Sequence, residues 1–202
     1  MTDVFVRVFS SNELRLGFAI ASVARWKMQE DVNVHALDCC DIQCPNFGYE
    51  FRHDGCSGNT LTNRPIPFAT ESLRYAEEYA QSDPYIIAND DALIYGKDFV
   101  QNGLKVMQEN PDYGVISGAV VNGDQFQFDG PEVTEIHAVG GLVFLRKGLV
   151  TEFPPLEDKY WDIERDKQVK AKGFRSGYTR MCPYLHMGAK FSVANPAFFT
   201  GA

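Results

Sequence analysis

No run in this chain approaches the roughly 20 consecutive apolar residues that a bilayer-spanning helix needs, so no membrane span is expected. The opening stretch, Met1 to Phe9, lacks both the basic region and the long apolar core of a secretory signal, which makes the cytoplasm the expected compartment. Positive charge is scarce as well: 19 Lys and Arg stand against 27 Asp and Glu, for a net charge of -8. That balance opposes broad, salt-driven contact with a polyanion, so nucleic acid is disfavoured as a partner, although a local basic groove is compatible with it. A full set of paired cysteines is also missing. The five present (Cys39, Cys40, Cys44, Cys56 and Cys182) are odd in number, so at least one has no intrachain disulfide partner, and reduced thiols are the simplest reading. The spacing of the first four matches no common zinc-ligand pattern. Internal repeats and low-complexity tracts are absent.

What remains is the makeup of an ordinary soluble globular chain. With 202 residues, 45% hydrophobic and 23% charged, it is long enough to bury a core without disulfides or structural metal. One domain, 1–202, is the expectation.

Along the chain, β-like and helix-like segments alternate. Val4 to Phe9 is rich in β-branched and aromatic residues; Ser10-Ser11-Asn12 follows, and apolar residues then recur at helical spacing through Leu14, Phe18, Ala21 and Met28. A second strand, Val32 to Leu37, ends at Asp38, so the first forty residues predict a βαβ unit with a right-handed crossover and a parallel sheet. Cys39 to Pro67 carries many Gly, Asn, Pro and Cys residues with little periodicity and predicts a long irregular excursion. A helix is predicted over Phe68 to Gln81, followed by the short apolar run Tyr85-Ile86-Ile87-Ala88, a buried central strand that stops at Asn89-Asp90-Asp91. Further on, the pattern predicts a helix over Lys97 to Asn110, strands over Tyr113 to Val121 and Thr134 to Arg146 (the latter interrupted at Gly140-Gly141), a helix over Glu157 to Lys172 stopped by Gly173, and a last strand near Phe174 to Met181.

The acidic residues sit where these elements end. In open α/β sheets ligands bind at the carboxyl ends of strands, so Asp38 and Asp90-Asp91 should converge on one crevice. Adjacent aspartates repel unless a cation or hydrogen bonds compensate, and a bound metal is one such compensation; capping of the following turn is the other. The stretch Tyr160-Trp161-Asp162-Ile163-Glu164 opens the predicted last helix, where acids either do chemistry or complement the helix dipole. His186 follows the predicted last strand in a run of little other polarity and is read either as a structural histidine or as a ligand.

The order of these features resembles the GT-A glycosyltransferases, in particular the large inverting family 2-like group that uses nucleotide sugars. The resemblance runs from Val4 to Gly188 and implies an α/β fold: a single Rossmann-like GT-A domain with a mostly parallel central sheet flanked by helices. Its nucleotide-binding half is expected over about 1–95 and its acceptor and catalytic half over about 96–202. By resemblance Asp38 bonds the nucleobase, usually uracil. Asn89-Asp90-Asp91 stands for the D-x-D-like motif with Asn89 in place of the first acid, Asp90 beside the ribose and Asp91 on the metal. Gly140-Gly141 matches the small-residue segment that lets backbone approach the donor sugar, a use that a missing Cβ explains. Asp162, eleven positions before Gly173, matches the catalytic aspartate, with Glu164 two further on; Trp161 stands where the family commonly has another acid. His186, with Gly188 after it, matches the remaining metal-site element.

The resemblance implies transfer of a sugar from a nucleoside diphosphate, with UDP as the expected nucleotide, onto an acceptor hydroxyl of a glycan, lipid, protein or modified nucleobase. Asp162 is the expected base and inversion the expected outcome, and Asp91 and His186 are expected to hold Mn²⁺ or Mg²⁺. Ser10 and Arg64 complete the expected donor-binding set with Asp38, Asp90, Gly140 and Gly141. Two other readings stay open. One is a catalytically silent nucleotide- or sugar-binding module, in view of Asn89; the other is a nucleotidyltransferase on a related sheet, against which the segment Phe9 to Glu13 offers neither glycine nor lysine.

Overall fold

The computed structural model describes residues 1–8, 13–38, 68–121, 131–136, 141–153 and 161–186. Its first strand, β1 (Thr2–Val8), is buried at every residue, as a run rich in valine and phenylalanine must be when both of its faces are covered. Helix α1 (Glu13–Lys27) returns the chain to β2 (Val32–Asp38), which lies parallel to β1 with Val8 opposite Asp38. After α2 (Phe68–Tyr79), strand β3 (Tyr85–Asn89) adds to the other side of β1, also parallel, with Arg7 opposite Asn89.

The remaining elements are β4 (Ala92–Ile94), α3 (Phe99–Glu109), β5 (Tyr113–Val120), β6 (Val133–Glu135), β7 (Leu142–Leu145), α4 (Trp161–Ala171) and β8 (Arg175–His186). The sheet runs β2-β1-β3-β7-β5-β8-β4, with β6 paired to β8 off this path. Strands β1, β2, β3, β5 and β8 point one way and β4, β6 and β7 the other, which is the mostly parallel α/β sheet expected from the sequence. No helix among the described residues is long and apolar enough to cross a membrane.

Alternation along the strands sorts side chains into two layers. Val4, Val6, Val8, Ile86 and Ala88 pack with Ala19, Val23 and Trp26 of α1 and with Phe99 and Val106 of α3. Phe5, Tyr85 and Ile87 pack on the opposite face with Leu73 and Ala76 of α2 and with Trp161 and Val169 of α4. Arg7 and Asn89, in step with Phe5 and Ile87, therefore emerge on the α4 side.

Three boundaries differ from the sequence reading. The stretch 134–146 is two separate strands, β6 and β7, rather than one. Strand β4 was not expected; its three residues pair with the far end of β8, and α1 covers its outer edge through Ser22 Oγ to the Ala92 carbonyl (3.3 Å) and Arg25 Nη1 to the Ile94 carbonyl (2.8 Å). Strand β8 continues past Met181 to His186, because Tyr184, Leu185 and His186 find partners in β4 that the sequence pattern did not reveal. His186 thus lies within a strand, opposite Ala92, rather than after one. Helix α4 ends at Gly173 as expected: its φ of 83° is the left-handed turn that glycine adopts without strain, and the Phe174 amide reaches back to the Val169 carbonyl (3.2 Å).

At the amino end of the sheet Asp3 ties three segments together. Its Oδ2 accepts from the backbone amides of Gln81 (2.6 Å) and Ser82 (2.9 Å), and its Oδ1 lies 3.0 Å from both Asn33 Nδ2 and His35 Nε2. Burial by itself pushes this carboxyl up, but the hydrogen bonds from His35, Gln81, Asn33 and Ser82 together outweigh it and hold the group below its ordinary value. A depressed carboxyl stabilises the fold above its unfolded pKa, about 3.9 for aspartate, and loses that contribution as pH falls through the lower folded value. Asp3→Asn is expected to lower stability by roughly 1–3 kcal/mol at neutral pH and to flatten the acid limb of a denaturation series below pH 5. An unchanged acid limb would remove Asp3 from that role.

Candidate active site

The parallel strands β1, β2 and β3 deliver Val8, Asp38 and Asn89 to one edge of the sheet. The antiparallel strands β4 and β7 start from that edge, so Asp90-Asp91 and Gly141 lie there too. The Asn89 amide donates to the Gly141 carbonyl (2.8 Å) and the Asp90 amide to the Arg7 carbonyl (3.0 Å), which fixes the motif segment against both β7 and β1.

Because β8 reaches this edge beside β4, it brings His186 to Asp91: His186 Nε2 lies 3.6 Å from Asp91 Oδ2. Both side chains are mostly covered, at 29% and 14% exposed. The other carboxylate oxygen, Asp91 Oδ1, is buried and has no hydrogen-bond partner among the described residues. A buried carboxylate oxygen in that state is costly unless a donor or a cation reaches it. Asp90 is only 2% exposed.

Gly141 lies against His186. A Cβ there would stand 3.0 Å from Tyr184 Oη and 3.4 Å from both Cδ2 and Nε2 of His186, so any side chain would crowd the histidine from the front. Burial, and after it the Asp91 carboxylate, push the Tyr184 hydroxyl well above its ordinary value.

The opening of α4 is anchored to the same edge through a residue that the sequence reading passed over. Arg7, 2% exposed, donates from Nη2 to Asn89 Oδ1, and its guanidinium lies 4.5 Å from the centre of the Trp161 ring. Arg165, one helical turn along α4, lies 4.8 Å from the same ring and bonds Asp166 Oδ1 through Nε (3.2 Å) and Nη2 (3.1 Å). Trp161, 7% exposed, is therefore a packed support for α4. Asp162 follows it, half-buried, with its Oδ1 accepting from the Ile163 amide (2.9 Å); Glu164 turns to Lys167 (3.2 Å). A lone arginine in the otherwise apolar run VFVRVF was the available signal for Arg7, since a charge inside a fully covered strand needs a partner.

Asp91, His186, Gly141 and Asp90 are thus gathered at one edge, and Asp38 closes β2 at that edge by its backbone. The Asp38 side chain, and Ser10, Arg64 and Gly140 entirely, lie outside the described residues. Asn89 is uncharged and engaged by Arg7, and the acidic charge at the motif is that of Asp90 and Asp91. Among the described residues no three His, Cys, Asp or Glu side chains form a group able to enclose a metal ion by themselves. The pair Asp91 and His186, with its unsatisfied oxygen, suits a hard divalent cation that takes its other ligands from a bound anion or water.

Among solved structures, the chain is similar to a crystal structure of S. aureus TarS, with a TM-score of 0.61 at 14% identity over 91% of this chain. A structure of TarS residues 1–349 gives a TM-score of 0.57 at 12% identity, also over 91% of this chain. The chain has a GT-A glycosyltransferase-like fold. It spans 36% of the first TarS chain and 59% of the second, so what is shared is the fold. No family model matches the sequence. A segment of 82 residues is 32% identical to the pyridoxal 5'-phosphate synthase subunit PdxT of Methanobrevibacter smithii, covering 39% of this chain and 42% of that protein.

Proposed function

We propose that the GT-A-like domain transfers a sugar from a nucleoside diphosphate sugar, with UDP as the expected nucleotide, to an acceptor hydroxyl. The observation that carries this reading is the meeting of Asp91 and His186, remote in the chain, at the strand-end edge of the sheet beside Gly141. Asp91 and His186 would hold Mn²⁺ or Mg²⁺, and the cation supplies positive charge against the diphosphate.

The rest of the chemistry falls to the chain itself. Asp162, at the first turn of α4, takes the proton of the acceptor hydroxyl as its oxygen forms a bond to the anomeric carbon. The bond from that carbon to the diphosphate breaks, and its electron pair leaves with the nucleotide. A single displacement of this kind inverts the anomeric configuration. Gly141, having no Cβ, lets the backbone lie close to His186, and the buried anchorage of Trp161 on Arg7 and Arg165 holds the base at a fixed place relative to the Asn89-Asp90-Asp91 turn.

One observation favours a second reading, a module that binds nucleotide or sugar without turning it over: the motif has the neutral Asn89 in place of its first acid, and the side-chain oxygen of Asn89 is engaged by Arg7. Release of UDP from UDP-sugars in the presence of Mn²⁺, present in the wild type and lost in Asp162→Asn, supports the enzyme. UDP binding with no release by the wild type supports the module.

A further inference from the structure

Tyr184 is completely buried, yet its hydroxyl has no hydrogen-bond partner among the described residues. A phenol buried in that state loses its hydration without compensation, which a phenylalanine at the same place would avoid. Its neighbours are those of the candidate cation pair. Tyr184 Oη and His186 Nε2 both lie within 3.4 Å of the point that a Gly141 Cβ would fill, and His186 Nε2 is in turn 3.6 Å from Asp91 Oδ2. Asp91 Oδ1, the second unsatisfied buried oxygen of this edge, belongs to the same cluster. The missing side chain of Gly141 therefore lets the β7 backbone lie tightly against a hydroxyl donor and against His186, one of the two candidate cation-holding side chains.

We propose that Tyr184 is a ligand-contacting residue of this site, whose hydroxyl, beside Gly141 and His186, donates a hydrogen bond to an oxygen that enters with the cation that Asp91 and His186 hold. The inference rests on the reading of that pair as a cation site. The oxygen belongs either to water or to the diphosphate of the donor; both accept a hydrogen bond in the same way, and a donor next to the ligand shell strengthens cation binding.

The test is titration of the full chain with Mn²⁺, following free Mn²⁺ by electron paramagnetic resonance, alone and with UDP. Tyr184→Phe is expected to weaken Mn²⁺ binding about tenfold or more, the usual effect of losing such a partner. A weakening in both titrations identifies water as the bonded oxygen, and a weakening only with UDP identifies the diphosphate. Thermal unfolding in EDTA is expected to be unchanged or slightly raised, because the variant removes an unsatisfied buried group; a merely structural hydroxyl would lower it. Gly141→Ala, whose methyl group presses on both the Tyr184 hydroxyl and the His186 ring, is expected to weaken Mn²⁺ binding as well. Equal Mn²⁺ affinity of the wild type and Tyr184→Phe, with and without UDP, overturns this inference alone. Absence of Mn²⁺ binding by the wild type, with and without UDP, overturns it together with the cation reading beneath it.

Discussion

Asp162→Asn is expected to cut sugar transfer by about 10²–10⁴-fold, the range in which positioned general bases contribute, while UDP and Mn²⁺ affinities stay as they are. Asparagine keeps the shape of the side chain and can still accept from the Ile163 amide with its carbonyl oxygen, so the first turn of α4 keeps its form. What it cannot do is take a proton from an alcohol. The loss therefore belongs in kcat and in kcat/KM together, as for an interaction made only in the transition state. Steady-state kinetics with a UDP-sugar, alongside calorimetric titration of UDP, separates the outcomes. Full activity in the variant places the base elsewhere, and a loss of UDP affinity makes Asp162 a nucleotide ligand instead.

Trp161→Ala is expected to destabilise the fold by about 3–5 kcal/mol, the range for removing a large buried aromatic. Two further losses act in the same direction. The Arg7 and Arg165 guanidiniums both lie over this ring, and a desolvated cation–π contact contributes on the order of 1–2 kcal/mol. Both arginines are nearly inaccessible to water, so the space left by the indole does not simply rehydrate them. Trp161→Phe, which keeps an aromatic face but less of it, should cost less than half as much. Urea denaturation at neutral pH measures both variants, and a loss below about 1 kcal/mol for Trp161→Ala would mean that the ring supports neither α4 nor the arginines.

The sheet was legible because its strands are written in plain alternation or in short apolar runs. Thr2–Val8 and Tyr85–Asn89 are covered on both faces, and their valines, isoleucines and aromatics have few other places to go. The acids at strand ends were legible for a related reason, since a turn follows each strand and ligands bind where such strands stop. The end of β8 was not. Leu185-His186 reads as the start of a loop until β4 is present to pair with it, and β4 is too short to show a period of its own. Trp161 stood out in the sequence only as an aromatic residue where the resemblance expects an acid; its neighbours Arg7 and Arg165 come from β1 and from the next turn of α4, a convergence that only the folded chain makes visible. The unsatisfied oxygens of Asp91 and Tyr184 are likewise properties of packing, with no counterpart in residue order.

The account stands on a cation between Asp91 and His186 that meets the charge of a nucleoside diphosphate. Calorimetric titration of UDP into the wild type, once with Mn²⁺ and once with EDTA, tests this directly when repeated on Asp91→Asn and His186→Ala. The predicted result is tight UDP binding only with Mn²⁺, with the difference between the two conditions erased in each variant. Equal UDP affinity with and without Mn²⁺ in the wild type would contradict it.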